Sequence, residues 1–368
     1  MSDMREFLHK LLALAVEVGA SDVHIKARQR PYFRIHSLLQ PASDDPLTAA
    51  DVQGIVDAIV PPHAAGKLAE TMEADFSHRE PDVGRFRVNA FYGQGEPALA
   101  LRHVKARIPT IEELNLPEVL NGLADVQRGI VILSGATGCG KSSTLAALIG
   151  TVNRRYERRI ITVEDPIEYT FEDERSVITQ REVGLDTLSF TAALRQVLRQ
   201  NPDVILIGEL RDAETLRIAL LASETGHLVF STLHASTASQ AVPRLLDEFP
   251  KSERDQTRMA LAANLQAIIC QRLIPDVDGV VVPAVEILFN TPTVKKILSR
   301  DQLDVLSAAI ETGGEDGMQT FDQSIYKLIK EGRISEADGM QYASSPEKLH
   351  MILQGIVLDD ARRILSTL

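Results

Sequence analysis

Residues 135–142 read Gly-Ala-Thr-Gly-Cys-Gly-Lys-Ser and match the phosphate-loop pattern G-x-x-x-x-G-K-[ST]. The apolar run 130–133 precedes this octapeptide, and a helical pattern begins near Ser143. Such a loop works only between a strand and the N-terminus of a helix, because there successive backbone N–H groups converge on phosphate oxygens. The sequence around the octapeptide therefore predicts a strand, a nucleotide-binding loop and a helix in direct succession.

Each residue type in the loop has a physical role. The glycines allow the backbone to approach the phosphates, Lys141 is expected to reach the β- and γ-phosphates, and the Ser142 hydroxyl is expected to bind Mg²⁺. We therefore predict ATP and Mg²⁺ as cofactors. The predicted cofactor-binding residues of the loop are Gly135, Ala136, Thr137, Gly138, Cys139, Gly140, Lys141, Ser142 and Ser143.

A second acidic strand is also expected, because a triphosphate site needs a carboxylate near the Mg²⁺ ion. Residues 204–207 are all apolar, and Gly208 and Glu209 follow them directly. This pattern predicts that Glu209 holds or orients the metal shell. By itself the pattern also fits an ordinary acidic residue at the end of a strand.

The fold class follows from the alternation of apolar strands and helical patterns. From Gly129 onward, near-continuous apolar strands between helices predict an α/β domain with its sheet covered on both faces. Residues 1–110 instead predict a smaller α+β domain. We predict four segments: the α+β domain 1–110, a linker 111–125 with one short helix, an ATPase domain 126–290 and a helical region 291–368.

The first domain can be outlined from local patterns. Apolar residues at helical spacing between Phe7 and Val18 predict an amphipathic opening helix rather than a signal peptide. Segments 21–25 and 32–35 are predicted strands, and Thr48 is predicted to cap a helix that ends at Pro61-Pro62. Residues 85–91 alternate between polar and apolar, which predicts a strand with Arg85, Arg87 and Asn89 on one face.

Composition excludes several classes of protein. The net charge of −12 and the absence of Trp argue against nucleic acid as a partner, because such proteins need a basic or aromatic-lined surface. The two cysteines are too few for a disulfide framework, which favours a reducing, cytoplasmic location. No apolar stretch approaches the roughly 18–20 residues needed to cross a bilayer.

Four ordered motifs resemble those of the secretion ATPase superfamily. Residues 161–169 (ITVEDPIEY) resemble its Asp box, residues 207–212 (IGELRD) its Walker B segment and residues 225–234 (TGHLVFSTLH) its His box. Residues 19–24 (GASDVH) match near the start. The chain is most similar to the PilT/PilU branch, the type IV pilus retraction ATPases. The resemblance implies a RecA-like P-loop ATPase domain, preceded by a PAS-like α+β domain and followed by helices.

The resemblance also implies roles for individual side chains. Glu168 is the expected general base, and Glu164 and Glu209 are expected to act with Ser142 at the metal. His234 is expected to act in catalysis and His227 to sense the γ-phosphate. Arg87 and Arg102 are expected to be arginine fingers, and Arg85 is expected either to share that role or to be solvated. The alternatives are a solvated turn for Glu164, buried structural histidines and ordinary surface arginines.

The function implied is a hexameric motor that uses ATP hydrolysis to power pilus retraction, pilin depolymerisation and twitching motility. Implied partners are further copies of the chain, an inner-membrane pilus platform protein and a paralogous retraction ATPase. The implied location is the cytoplasmic side of the inner membrane at the pilus base. The early position of Lys141 and the shortage of cysteines favour the retraction branch over the type II secretion ATPases. An autonomous motor is favoured over an accessory ATPase, a nucleic-acid translocase or a non-hydrolysing scaffold.

Two departures from the family pattern bear on these expectations. Cys139 stands where relatives commonly have a serine, and only a lowered thiol pKa would make it a redox switch. Residues 293–300 (TVKKILSR) occupy the place of the retraction motif Ala-Ile-Arg-Asn-Leu-Ile-Arg-Glu but keep little of its identity. If the segment retains its role, it should be a short helix with Val294, Ile297 and Leu298 packed inward.

Overall fold

The computed structural model describes residues 2–35 and 38–356, and these form two compact units. The first unit comprises the described residues up to Arg107 together with Pro166–Thr170 and Glu182–Leu188. The second comprises Ile108–Asp165, Phe171–Arg181 and the described residues from Ser189 onward. Two short segments from within the predicted ATPase range, 166–170 and 182–188, thus pack with the first unit.

The first unit contains one antiparallel sheet and three helices. Its six strands lie in the order β3-β2-β1-β6-β5-β4. In chain order its elements are α1 (Ser2–Glu17), β1 (Asp22–Lys26), β2 (Tyr32–Ile35), β3 (Leu38–Pro41), α2 (Ala49–Ile59), α3 (Pro62–Thr71), β4 (Glu73–Glu80), β5 (Gly84–Gly93) and β6 (Glu96–Val104). The predicted α+β character, the opening helix and the two early strands are confirmed.

The alternation along β5 separates a core face from a polar face. Phe86, Val88 and Ala90 are fully buried in the core of this unit, together with residues of α1 and α2. Arg85, Arg87 and Asn89 occupy the intervening positions and therefore lie on the opposite face, as predicted.

The capping prediction for α2 is also confirmed. The Thr48 hydroxyl accepts a hydrogen bond from Asp51 N–H, and the Asp51 carboxylate accepts one from Thr48 N–H, which is a capping box. Pro61 and Pro62 end α2, but they also begin a helix that the sequence analysis did not predict. Proline fits the first turn of α3 because its fixed φ angle suits a helix and no N–H is needed there.

The second unit is built on a seven-stranded mixed sheet with the strand order β13-β12-β7-β11-β10-β8-β9. In chain order its elements are β7 (Gly129–Ser134), α4 (Lys141–Arg155), β8 (Arg159–Glu164), β9 (Val177–Glu182), α5 (Phe190–Val197), β10 (Val204–Ile207), α6 (Ala213–Glu224), β11 (Leu228–Leu233), α7 (Ala238–Asp247), α8 (Lys251–Asn264), β12 (Leu265–Pro275), β13 (Val281–Phe289), α9 (Pro292–Ser299), α10 (Leu306–Thr312), α11 (Phe321–Lys330), α12 (Glu336–Tyr342) and α13 (Pro346–Leu353). Pairings β8–β10, β10–β11, β11–β7 and β7–β12 are parallel, and β13 adds an antiparallel edge. The predicted α/β class is confirmed.

Residues 111–125, which were predicted to form a linker, pack into the core of the second unit. It contains the expected short helix, a 3₁₀ helix at Glu118–Ala124. Ile111, Leu116, Leu120 and Leu123 are buried in the core of the second unit. These apolar side chains anchor the segment, because leaving them in water would forfeit the free energy of their burial.

Helices follow the last strand of the second unit. Within the described residues β13 is the last strand, and α9 to α13 follow it. Residues 357–368 of the predicted helical region lie outside the described residues. Among the helices that the structure does describe, none is long and apolar enough to span a membrane.

Candidate nucleotide-binding site

The carboxyl ends of four parallel strands bring the motif residues to one edge of the second unit's sheet. Ser134 pairs with Leu233, so Gly135 and His234 follow neighbouring strand ends. Ile207 pairs with Ser231 on one side and Val163 on the other, which places Glu209 and Glu164 just beyond the same edge. In parallel α/β sheets this edge is where ligands bind.

The phosphate loop adopts the backbone that its glycines permit. Gly135, Gly138 and Gly140 have φ angles of 141°, 80° and 94°, a region that strains other L-residues. α4 begins at Lys141, directly after Gly140. The Lys141 ammonium donates to the carbonyl oxygens of Gly135 at 2.8 Å and Ala136 at 3.1 Å. The cation therefore lies across the loop, beside the helix N-terminus that favours anions.

Cys139 is a structural residue of this loop. It is buried, and a Cβ atom placed on Gly135 would lie 2.6 Å from its Sγ atom. Burial raises the pKa of the Cys139 thiol, and the neighbouring Lys141 charge does not reverse that shift. The thiol is therefore protonated at neutral pH, whereas a redox switch would need the thiolate.

Glu209 and His234 meet at the strand edge. His234 Nε2 lies 3.3 Å from Glu209 Oε1, and Arg211 Nε donates to Glu209 Oε2 at 2.8 Å. The hydrogen bond to Glu209 raises the pKa of Arg211. The Glu209 carboxylate is thus held from both sides at the end of β10.

Glu164 is held by its own strand and the neighbouring one. Thr162 Oγ1 donates to Glu164 Oε1 at 2.6 Å, and Gln180 Nε2 donates to the same oxygen at 3.2 Å. Its neighbour Asp165 lies 3.9 Å from Arg211. These contacts fix the carboxylate in place and show that Glu164 is more than a solvated turn residue.

The donor set at this edge fits Mg²⁺ bound together with a nucleotide. Ser142 lies in the first turn of α4, and Glu164 and Glu209 follow neighbouring strands. Across the described ranges, no group of three or more His, Cys, Asp or Glu side chains could hold a metal ion. Mg²⁺ does not need such a group, because it is usually bound by one or two carboxylates, substrate phosphates and water.

Glu168 belongs to the first unit. Its segment is fixed there because Ile167 N–H donates to Glu182 Oε2 at 3.1 Å and Thr170 N–H donates to the Lys105 carbonyl at 3.3 Å. The Glu168 side chain is exposed. The chain thus leaves the second unit directly after Asp165 and carries the expected base on the first.

Arg87 and Arg102 lie side by side on the polar face of the first unit. They are directly opposite each other on β5 and β6, and both are exposed. Arg102 Nε donates to Asp22 Oδ1 at 2.8 Å, which anchors this side chain while leaving 67% of it exposed. Burial pushes the pKa of Asp22 upward, but hydrogen bonds from Ser21 and Arg102 outweigh burial and leave the pKa lowered.

Arg85 is half-buried, whereas Arg87 and Arg102 are exposed. Its Nη2 atom donates to Glu182 Oε2 at 2.7 Å and to Ser77 Oγ at 3.2 Å. Glu182 is buried, and it also accepts the Ile167 N–H. Arg85 therefore stabilises the segment that carries Glu168, a role that sequence analysis did not assign.

The structure does not bring His227 to the phosphate-loop edge. His227 precedes Leu228, which pairs with Gly129 at the start of β7. Its Nδ1 atom lies 2.9 Å from the Ala222 carbonyl. A six-residue strand is about 20 Å long, so β11 separates His227 from the edge where His234 lies. His227 therefore lies at the opposite end of β11 from the phosphate loop of its own chain, and the expectation that it binds a nucleotide stays a prediction.

Sequence reasoning missed several side chains that support the site. Gln271 accepts a hydrogen bond from Thr144 in the first turn of α4, Thr162 and Gln180 hold Glu164, and Asp22 holds Arg102. Asp22 lies within the quoted motif 19–24 and Thr162 within the quoted motif 161–169, so both could have been found there. Gln180 and Gln271 have no local pattern that marks them.

Comparisons with known proteins agree with this geometry. The family model for type II/IV secretion system proteins matches residues 2–281. The chain is 42% identical over 346 residues to the type IV pilus ATPase PilU of Pseudomonas aeruginosa, covering 94% of this chain and 91% of PilU. It is 40% identical over 338 residues to the type IV pilus retraction ATPase PilT of the same organism, covering 92% and 98%. A crystal structure of the pilus retraction motor PilT with bound ADP matches with a TM-score of 0.86 and 40% identity, covering 93% of this chain and 98% of that one.

Proposed function

The chain belongs to the type II/IV secretion system protein family, in the PilT/PilU branch of pilus retraction ATPases, and from this premise we propose that it hydrolyses ATP to power type IV pilus retraction. The observation that carries the proposal is the edge of the second unit's sheet at which the parallel strands β7, β8, β10 and β11 end. There the phosphate loop with Lys141 lies beside the paired Glu209 and His234 side chains.

The second unit supplies the residues proposed to bind the nucleotide and Mg²⁺. The N–H groups of the loop and of the first turn of α4 bind phosphate oxygens, and the Lys141 ammonium neutralises their charge. To do so, Lys141 exchanges its hydrogen bonds to Gly135 and Ala136 for bonds to the nucleotide. Mg²⁺, held by Ser142 with Glu209 and Glu164, would neutralise further charge on the phosphates. His234 orients the Glu209 carboxylate through their contact.

The first unit supplies the residues proposed to act in the hydrolysis step. Glu168 accepts the proton of the attacking water, which its exposed carboxylate can do as a general base. Arg87 and Arg102 neutralise the charge that develops on the transferred phosphoryl group. Asp22 fixes Arg102 through Nε and leaves the terminal guanidinium nitrogens for phosphate oxygens.

We further propose that the working form is a homohexamer on the cytoplasmic side of the inner membrane. There it would act on a pilus platform protein at the pilus base. A ring forms when the rotation between heterologous contacts closes. We propose that in this ring Arg87 and Arg102 of one subunit act at the phosphate loop of the next.

A second candidate is an accessory retraction ATPase that works only beside a paralogous partner. Two observations favour it. The chain is slightly more identical to PilU, at 42%, than to PilT, at 40%. Residues 293–300 also depart from the family's retraction motif. We propose the autonomous motor and treat the accessory role as the outcome that would replace it.

ATP hydrolysis by purified variants tests the proposal. Lys141→Ala should bind ATP poorly, because it loses a direct phosphate contact. Glu168→Ala should still bind ATP but hydrolyse it about 10²–10⁴-fold more slowly, the usual scale of general base catalysis. Lys67→Ala and Glu70→Gln, both on the exposed face of α3, are the matched controls and should behave as wild type. Full turnover by Glu168→Ala would reassign the base to Glu164.

A further inference from the structure

Gln271 lies beside the phosphate loop because β12 continues where β7 ends. The two strands run parallel up to the pair Cys270–Ser134, after which the chain of β7 becomes the loop while β12 extends to Pro275. Gln271 is the first residue of β12 beyond that pair. Its polar side chain is only 5% exposed, so its amide must find partners inside the protein.

The amide finds a partner in the helix that follows the loop. Thr144 Oγ1 donates to Gln271 Oε1 at 2.9 Å, and Thr144 is fully buried in the first turn of α4. The same hydroxyl lies 3.2 Å from the Gly140 carbonyl. Gln271 is therefore the side chain from outside the loop that holds the first turn of this helix through Thr144.

Gln271 also packs against the loop at two of its glycines. A Cβ atom placed on Gly135 would lie 2.6 Å from the Gln271 carbonyl oxygen. One placed on Gly140 would lie 2.7 Å from Gln271 Nε2. These distances are shorter than real Cβ contacts, so the backbone at the beginning and end of the loop approaches Gln271 as closely as glycine permits.

We propose that Gln271 is a positioning residue for nucleotide binding. This inference rests on the proposed function of the loop as an ATP site. The Gln271 side chain acts through Thr144 and Gly140, because it joins the first turn of α4 to β12, whose backbone carbonyl at position 271 lies against Gly135 at the beginning of the loop. The loop N–H groups, Lys141 and Ser142 then point at phosphate oxygens without rearranging when ATP binds. Pre-organisation of this kind affects affinity more than the rate of the bound complex.

The test measures ADP and ATP affinity and ATPase kinetics for the full chain with Mg²⁺. Gln271→Ala should raise the Kd for ADP and the KM for ATP about 10-fold, the scale of a lost buried hydrogen bond. The kcat at saturating ATP should change about 3-fold or less. Gln319→Ala is the matched control, because Gln319 is equally buried in the second unit but donates to Val285 O and accepts from Lys327. It should lower Tm similarly and leave the Kd for ADP unchanged.

A double-mutant cycle with Thr144→Val separates positioning from general damage. Val keeps the shape of Thr144 but removes the hydroxyl, so the variant should fold even if Gln271→Ala does not. Thr144→Val should itself raise the Kd for ADP. The double variant should raise the Kd for ADP by much less than the product of the two single-variant increases, because both changes remove the same hydrogen bond. Independent effects, or a Gln271→Ala protein that binds ADP as tightly as Gln319→Ala, would overturn the inference. A wild-type protein that neither binds nor hydrolyses ATP would instead overturn the proposed function.

Discussion

Cys139 and Lys141 are two residues apart in the phosphate loop, and their environments give them different tasks. The Lys141 ammonium is partly exposed and donates to two loop carbonyls, so it is available to exchange them for phosphate. Cys139 is buried and packs against Gly135, and burial raises its thiol pKa. The lysine therefore serves binding, whereas the cysteine fills space under the loop.

Cys139→Ser should leave ATP hydrolysis within about 2-fold of wild type, because serine has a similar size and the thiol performs no chemistry. Cys139 should also resist thiol reagents at pH 7. Its raised pKa keeps it protonated there, and reactivity should grow only as the pH rises well above the ordinary thiol pKa. The measurements are ATPase kinetics and the rate of thiol labelling, with Cys270→Ser protein used so that only Cys139 reports. Rapid labelling at pH 7 with loss of activity would contradict this.

At the residue scale, the sequence identifies the groups whose task depends on a local pattern. The loop glycines, Lys141 and Glu209 were predictable because a strand, a loop and a helix in succession determine where they lie. Gln271 was not, since its partner Thr144 is 127 residues away, and neither was the pairing of Arg102 with Asp22, 80 residues apart. Such partners meet only through the pairing of strands that are distant in sequence.

The helix α9 keeps its apolar face although the family's motif is largely lost there. Val294, Ile297 and Leu298 are fully buried, and Lys295 and Lys296 are exposed. Arg258 of α8 donates to the carbonyls of Leu298 at 2.7 Å and Ser299 at 2.6 Å, so it caps the C-terminal end of α9. The cation also suits the negative end of the helix dipole. Packing and capping together attach α9 to α8.

Ile297→Ala should lower the free energy of unfolding by about 2–5 kcal/mol, the range for truncating a fully buried Ile to Ala. Lys295→Ala, on the exposed face of the same helix, is the matched control and should change stability by less than about 0.5 kcal/mol. Urea unfolding followed by circular dichroism measures both. Equal stabilities for the two variants would contradict the inward packing of this helix.

At the element scale, apolar spacing predicted α1 and the β5 face correctly because burial alone sets those patterns. A helix at 293–300 was expected only if the segment keeps the role of the family's motif, and α9 has the inward face that this expectation named. The helix α3 was not predicted from the sequence. Pro61-Pro62 ends α2 but also begins α3. The two histidines seven residues apart flank β11, and only His234 lies at the end of that strand next to the phosphate loop. The spacing of the two histidines gives the distance between them along β11. The motif 225–234 alone did not show which end of that strand lies next to the phosphate loop.

On the scale of the whole molecule, the residues proposed for one reaction are divided between two units. Glu168, Arg87 and Arg102 belong to the first unit, whereas the phosphate loop and Glu209 belong to the second. This division could not be read from the motif 161–169, because the chain changes unit in the middle of it, after Asp165. Motion of either unit would then be linked to hydrolysis.

The protein should assemble with ATP and Mg²⁺ into a species six times the 40.4 kDa mass of the chain. Light scattering at micromolar concentration measures this. A ring also predicts complementation: Lys141→Ala and Arg102→Ala proteins should each be nearly inactive, yet mixed rings should regain part of the activity. In a mixed ring some sites combine an intact loop with an intact arginine from the neighbour. A monomer under these conditions, or mixtures no more active than their parts, would contradict the shared site.

We propose that ATP hydrolysis by this chain alone retracts type IV pili. The most direct measurement is pilus retraction, followed by microscopy of labelled pili, in a strain that lacks both of its own retraction ATPases and expresses this protein. We expect retraction and twitching motility with the wild-type chain and neither with Glu168→Ala produced at the same level. Hyperpiliated, immobile cells containing wild-type protein with normal ATPase activity would contradict the claim, and recovery on adding a PilT-like partner would establish the accessory role instead.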